Sequence, residues 1–185
     1  MKKALLFAGL ASVAAFSLAV FNSNSGLNVG EMVTPFHPKH IAGPDKGTDT
    51  CPPCKYGAVP AVQAWVSPSE KPEVVMALAK TLSANVAANK AAELKGFMIM
   101  LTMCAGCEGK AAKFAEHAKI DNLGIATLGF ENEAVKNYKV SLDKDVKNTV
   151  FVYKNKKVAA KFVNLTDSKE DLAKLEAAIA GVTSK

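Results

Sequence analysis

The chain has 185 residues and a formal net charge of +6, and all 23 of its Lys and Arg residues are lysine. Arginine supplies the paired hydrogen bonds that grip phosphates and read guanine edges, so its absence argues against nucleic-acid binding. The length suits one domain with a single core, preceded by a short N-terminal extension.

Residues 1–21 form the first segment. Lys2 and Lys3 precede an apolar stretch from Ala4 to about Phe21, with small residues near its end. This pattern is typical of a secretory signal peptide, and an uncleaved N-terminal membrane anchor is the alternative. We therefore expect an exported protein, periplasmic or otherwise extracytoplasmic, in a compartment where disulfides persist. Beyond this possible anchor, we expect no contact with a membrane.

Residues 22–57 predict an irregular N-terminal arm, because polar residues, glycine and proline interrupt any helical or strand pattern there. The arm carries two spaced pairs of reactive side chains, His37-Pro-Lys-His40 and Cys51-Pro-Pro-Cys54. From residue 58 to about residue 182 the pattern is regular, which predicts the folded domain.

The first half of this domain alternates strand and helix. Ala61–Val66 predicts a buried strand. Apolar residues at helical spacing from Val75 to Val86 predict a long helix, which Gly96 ends. Phe97–Met103, the most hydrophobic piece of the mature chain, predicts a second buried strand.

The second half begins with a shorter helix over Glu108–Lys119. Residues 124–130 predict a third strand, and "NEAVKNYKV" predicts a short helix. Residues 148–163 alternate on either side of a "KNKK" turn, which predicts a β-hairpin. Ser168 opens a last amphipathic helix, which Gly181 closes.

The predicted order is β-α-β-α-β-α-β-β-α, in which strands separated by helices pair in parallel and the hairpin adds antiparallel strands. Across residues 58–182 this order, with the stretch "EAVKNYKV…NTVFVYKNKKVAAKF", resembles the thioredoxin-like superfamily. "GPDKGTDTCPPCKYG" followed by a strand is also similar to exported bacterial thioredoxin-like proteins. The resemblance implies an α/β, three-layer thioredoxin-like fold with a central mixed sheet, preceded by the irregular arm.

The resemblance puts Asn148 where the family has a cis-proline. In the family, that proline shapes the surface on which substrate disulfides dock. A cis bond before a residue other than proline costs about 2.5–4 kcal/mol, so we expect a trans bond at Asn148 and altered docking.

Two alignments with the family are open, and we favour the first. In the first, Ala61–Val66 is the strand that precedes the active site, whose position then falls on "SPSE", residues 67–70, without a cysteine. In the second, Phe97–Met103 is that strand, and Cys104-Ala-Gly-Cys107 occupies the redox position.

Cys104 and Cys107 are the predicted catalytic residues under either alignment. They follow a central strand and precede a helix, whose N-terminus stabilises a thiolate and lowers the pKa of Cys104. Cys104 would attack, and Cys107 would resolve the mixed disulfide. The alternative is a closed Cys104–Cys107 disulfide that only braces the loop.

Cys51 and Cys54 precede their strand, so we expect them at the opposite edge of the sheet. No helix is predicted directly after them, so we expect no dipole to activate either sulfur, and a bracing disulfide is the simplest interpretation. With His37 and His40 they also form an HxxH…CxxC series that could bind zinc or copper.

The leading functional hypothesis is an exported thiol–disulfide oxidoreductase or redox-responsive protein whose partners are protein thiols and disulfides of other exported proteins. A non-catalytic thioredoxin-like module with structural disulfides is the second hypothesis. An extracytoplasmic zinc or copper binder is the third. No other cofactor is indicated.

Overall fold

The structure, a computed structural model, describes residues 25–103 and 108–184. The predicted signal peptide and the Cys104–Cys107 segment therefore lie outside the described residues. Within these ranges six strands form one sheet, in the order β1-β4-β3-β2-β5-β6. The strands are β1 Lys39–Ala42, β2 Ala61–Val66, β3 Lys95–Thr102, β4 Gly124–Gly129, β5 Asn148–Lys154 and β6 Lys157–Val163.

The sheet is mixed, as predicted. The three central strands β2, β3 and β4 run parallel to one another. The other three strands pair antiparallel: β1 with β4, β5 with β2, and β6 with β5. The described helices are α1 Pro52–Tyr56, α2 Pro72–Ala88, α3 Glu108–Ala118, α4 Glu133–Asn137 and α5 Lys169–Thr183, with a 3₁₀ turn at Lys90–Ala92. None of these helices has the length and apolar composition that crossing a bilayer requires.

Packing on both faces of the sheet makes the domain three-layered. One face buries the apolar sides of α2 and α5 and part of α3, with Leu78, Leu82 and Ile179 fully buried. The other face is covered by α4 and by the arm, which contributes Leu27, Val33 and Phe36 to the core. The α/β class, the element order and the mixed sheet predicted from the sequence are confirmed.

The arm differs from the prediction because it is not irregular throughout. Its residues 39–42 add strand β1 at one edge of the sheet, where Lys39 pairs with Thr127 of β4. Helix α1 begins directly after Cys51, whose side chain accepts a hydrogen bond from the backbone N–H of Cys54. Two prolines at the first helical positions preset the backbone angle that a helix needs. The expectation that no helix follows these cysteines at once is therefore wrong.

Two helix ends also differ from the prediction. Helix α2 ends at Ala88 rather than near Gly96, since a 3₁₀ turn follows and Glu93 adopts the left-handed conformation at φ 57°. Helix α5 passes through Gly181 and ends at Thr183. The hairpin agrees with the prediction: Asn155 and Lys156 both have positive φ, as a type I′ turn requires.

Candidate functional site

The carboxyl edge of the parallel strands is the candidate site for chemistry. Strand β3 ends at Thr102, and the next residue, Met103, is 72% exposed. Helix α3 begins at Glu108. The four residues between them in the sequence, Cys104 to Cys107, lie outside the described residues.

A cavity of about 280 Å³ opens at this edge. It lies between the ends of β2 and β3, the turn at residues 67–72 and helix α3. Most of its lining is apolar, and Glu70 and Lys110 are its charged members. The lining residues are Val66, Ser67, Pro68, Glu70, Pro72, Val75, Met100, Leu101, Thr102, Met103, Lys110, Ala111 and Phe114. A cavity of this size and lining can hold one apolar side chain of a partner.

The turn Ser67–Glu70 closes one side of the cavity. The backbone N–H of Ser67 donates to the carbonyl of Lys147 at 2.8 Å, and the Ser67 hydroxyl accepts from the N–H of Ser69 at 3.3 Å. Glu70 accepts a hydrogen bond of 2.5 Å from the amide of Asn148. The turn is therefore fixed to the start of β5 by both backbone and side-chain contacts.

Asn148 is 1% exposed, and its peptide bond is trans, as expected. Its side chain also binds both backbone groups of Leu165: Nδ2 donates to the carbonyl at 2.8 Å, and Oδ1 accepts from the N–H at 3.0 Å. In the sheet Asn148 lies opposite Val66 at the end of β2. Asn148 thus lies beside the Ser67–Glu70 turn and binds it through Glu70.

At the other edge, Cys51 and Cys54 form a disulfide with an S–S distance of 1.98 Å. Cys51 is 5% exposed, whereas Cys54 is exposed. The Tyr56 ring of the same helix packs on Phe97, near the start of β3, with 5.7 Å between centroids. The disulfide therefore belongs to the amino edge of the sheet, opposite Met103, as predicted.

A buried carboxylate, that of Asp45, holds this helix to the preceding loop of the arm. The Asp45 side chain is 3% exposed and accepts from the Lys55 ammonium at 2.6 Å. Both of its oxygens also accept from the Tyr56 hydroxyl at 3.1 Å. The hydrogen bond to Asp45, and then that to Tyr56, raises the pKa of Lys55 above its usual value. Sequence reasoning missed this cluster, because its acid lies ten residues before its base within a turn-rich stretch.

The two histidines donate hydrogen bonds to backbone carbonyls. The His40 ring, 2% exposed, donates from Nε2 to the carbonyl of Thr50 at 2.9 Å. The exposed His37 ring donates from Nδ1 to the carbonyl of Asp49 at 2.8 Å. Both contacts support the loop that precedes Cys51. In the part of the chain that the structure describes, no three His, Cys, Asp or Glu side chains come together as metal ligands.

Comparison with known proteins identifies the fold. The sequence matches no protein-family model and no curated protein. A structure from Chlorobium tepidum, proposed to be the thiol:disulfide interchange protein DsbE, superposes with a TM-score of 0.64 at 19% identity, covering 85% of this chain and 99% of the other. The thioredoxin domain of a thiol-disulfide oxidoreductase from Bacteroides vulgatus gives 0.60 at 13% identity, covering 83% and 99%. StoA from Bacillus subtilis gives 0.55 at 15% identity, covering 79% and 96%.

Proposed function

This chain has the thioredoxin-like fold, and on that premise we propose that it is an exported thiol–disulfide oxidoreductase or redox-responsive protein that uses Cys104 and Cys107. The apolar cavity at the carboxyl edge carries this proposal. It adjoins Met103, the residue directly before Cys104, and helix α3, whose first residue Glu108 directly follows Cys107. Open α/β sheets bind their substrates at this edge.

The two cysteines would exchange a disulfide in two steps. The Cys104 thiolate attacks one sulfur of a substrate disulfide, which forms a mixed disulfide and releases the first substrate thiolate to take up a proton. The Cys107 thiolate then attacks the Cys104 sulfur and releases the second substrate thiol. The substrate gains two electrons, the protein ends as the Cys104–Cys107 disulfide, and an external dithiol donor returns it to the dithiol.

The cavity indicates which kind of substrate the protein would bind. An extended segment whose apolar side chain enters the cavity would lie beside the turn at residues 67–70. Such segments are exposed in incompletely folded proteins that still carry exchangeable disulfides. The pattern of residues 1–21 supports export to the compartment where such substrates occur.

A non-catalytic module is the second candidate, and one observation favours it. The turn that faces Asn148 is Ser67-Pro68-Ser69-Glu70, so the position that the first alignment assigns to the redox motif holds no cysteine. In that case the two CxxC pairs would serve only as braces.

Reduction of insulin disulfides, with dithiothreitol as donor, separates the two functions. We expect wild-type protein to accelerate the reaction, Cys104→Ser to abolish the acceleration, and Cys51→Ser to retain it. After mild reduction near neutral pH, Cys104 should also be alkylated faster than Cys51 or Cys54. Absence of activity in wild type, with equal resistance of both pairs to reduction, would establish the non-catalytic module.

A further inference from the structure

The amino-edge disulfide joins one buried cysteine to one exposed cysteine. Cys51 is 5% exposed, and Cys54 is exposed. A thiolate opens a disulfide by attacking one sulfur while the other leaves, so access decides which sulfur reacts. An external thiol can therefore reach Cys54, and Cys51 is the leaving sulfur.

The surroundings keep Cys51 in place when the bond opens. Its sulfur accepts a hydrogen bond from the Cys54 N–H at 3.2 Å. Its carbonyl accepts from the N–H groups of Cys54 and Lys55 at 3.1 and 3.0 Å. The two prolines between the cysteines restrict the backbone further. These contacts do not depend on the S–S bond, so the two thiols stay close enough to close the ring again.

Three lysine side chains lie at the C-terminal end of the helix that carries this disulfide. Lys55 is neutralised by Asp45. The Lys95 ammonium lies 5.5 Å from the centroid of the Tyr56 ring. The Lys156 side chain covers Gly57, where an added Cβ would meet its Cε at 2.4 Å. The ion pairs of the described residues use the lysines at 39, 55, 139 and 174, which leaves Lys95 and Lys156 without a carboxylate partner.

From these observations we infer that Cys51–Cys54 is a second thiol-exchange site, which reacts through Cys54 with small anionic thiols. An exposed cysteine on a short helix whose last residue and C-cap, Tyr56 and Gly57, are contacted by two lysines matches a small thiol that carries a carboxylate or a sulfonate. The cations raise the local concentration of such a thiol and favour its approach as a thiolate. This site lies at the opposite edge of the sheet from Cys104 and does not depend on the function proposed there.

The exchange balances with the thiol alone. A first anionic thiolate bonds to the Cys54 sulfur, the Cys54–Cys51 bond breaks, and the Cys51 thiolate leaves and takes up a proton. A second thiolate attacks the external sulfur of the mixed disulfide, which releases the Cys54 thiolate. Two small thiols are oxidised to their disulfide while the protein disulfide becomes a dithiol, and the reverse sequence oxidises the protein.

The first test uses the full mature chain with Cys104→Ser and Cys107→Ser, so that Cys51–Cys54 is the remaining disulfide. Its reduction is followed by maleimide labelling and mass spectrometry with 2-mercaptoethanesulfonate, 2-mercaptoethanol and cysteamine, each rate being divided by the thiolate concentration. We expect the sulfonate to react at least about threefold faster than the neutral thiol and cysteamine to react slowest, with the difference lost at high salt.

The matched variants locate the effect. Lys95→Gln with Lys156→Gln should remove the preference for the sulfonate, whereas Lys80→Gln with Lys113→Gln, an equal loss of charge at two exposed helix positions, should keep it. Equal rates for the three thiols, or equal effects of the two double variants, would overturn the inference. So would a disulfide that none of the thiols reduces without denaturant.

The second test identifies the reacting sulfur. The same chain is treated with 2-mercaptoethanesulfonate, quenched in acid during the reaction, and the mixed disulfide is mapped by peptide mass spectrometry. We expect the adduct on Cys54. An adduct on Cys51, or equal amounts on both, would contradict the inference. Because the chain lacks Cys104 and Cys107, neither result bears on activity at the carboxyl edge.

Discussion

The two edges of the sheet carry the same CxxC motif in different surroundings. At the amino edge, the Cys51–Cys54 disulfide is fixed by a buried carboxylate, by histidine contacts to the preceding loop and by a short helix. At the carboxyl edge, the chain enters its CxxC from an exposed methionine beside an open apolar cavity. The CxxC spacing thus indicates that two cysteines can form a disulfide with each other. Whether that disulfide is structural or reactive depends on the residues around it.

The difference follows from what each edge contacts. The amino edge is covered by the arm, in which Asp45 binds Lys55 and Tyr56. At the carboxyl edge, mostly apolar side chains from the ends of β2 and β3 and from α2 and α3 line an open cavity. Substitutions that change the free energy of unfolding can test how tightly the amino edge is packed and whether the carboxyl edge is open.

The largest effect is expected where the arm that carries the disulfide is anchored. Phe36 is 3% exposed, and its ring lies 5.1 Å from that of Trp65 and 5.3 Å from that of Tyr138. Phe36→Ala should lower the free energy of unfolding by about 3–5 kcal/mol, because it leaves a cavity in the core. Val29→Ala, at a position 63% exposed, is the control and should change it by less than about 0.5 kcal/mol.

Chemical denaturation measures both variants. If Phe36→Ala lowered the free energy of unfolding no more than Val29→Ala, the arm would be only loosely attached to the domain. The amino edge could then not be described as more firmly held than the carboxyl edge.

The fold could be predicted because its core elements carry strong local patterns. The run at Ala61–Val66, apolar except for Gln63, predicts a buried strand. The helical spacing of Leu78 and Leu82 predicts a helix, and the alternation over residues 148–163 predicts a hairpin. The strands and helices after residue 58 therefore lie near their predicted bounds, except for the end of α2, which stops at Ala88 rather than near Gly96.

The arm could not be predicted in the same way. Leu27, Val33 and Phe36 are buried but follow no regular spacing, and the apolar residues Val29 and Met32 between them are exposed. Strand β1 has one buried side chain, that of His40. It forms because its backbone pairs with the exposed edge of β4. The Asp45 cluster likewise depends on a chain reversal that brings residue 55 back to residue 45.

The next largest effect is expected at the carboxyl edge. Asn148→Ala removes the side chain that satisfies both backbone groups of Leu165 and binds Glu70. Buried groups left without partners should cost about 2–3 kcal/mol of unfolding free energy. Glu70→Gln, which keeps an acceptor for the Asn148 amide, should cost less than about 1 kcal/mol. Equal losses of unfolding free energy in the two variants would show that Asn148 stabilises the protein through its contact with Glu70 rather than through its contacts with Leu165.

A smaller effect is expected from the carboxylate at the amino edge. Asp45→Asn keeps an acceptor for Tyr56 but removes the charge that pairs with Lys55, whose ammonium can still be solvated. We expect a loss of about 1–2 kcal/mol in denaturation and faster reduction of the Cys51–Cys54 disulfide by dithiothreitol. Asp49→Asn, at an exposed position nearby, should change neither quantity. Unchanged reduction in Asp45→Asn would mean that the cluster does not hold the disulfide.

The smallest effect tests whether the carboxyl edge is open. Val75 lines the cavity, so Val75→Ile adds one methylene to empty space and should change the free energy of unfolding by less than about 0.5 kcal/mol. Val150 is fully buried and does not line the cavity, so Val150→Ile should cost about 1–2 kcal/mol by overpacking. Val75→Ile should also weaken binding of an apolar dye or of a reduced insulin chain, because it narrows the space that an apolar side chain would enter. A cost for Val75→Ile equal to that for Val150→Ile would show that the carboxyl edge is packed as tightly as the core.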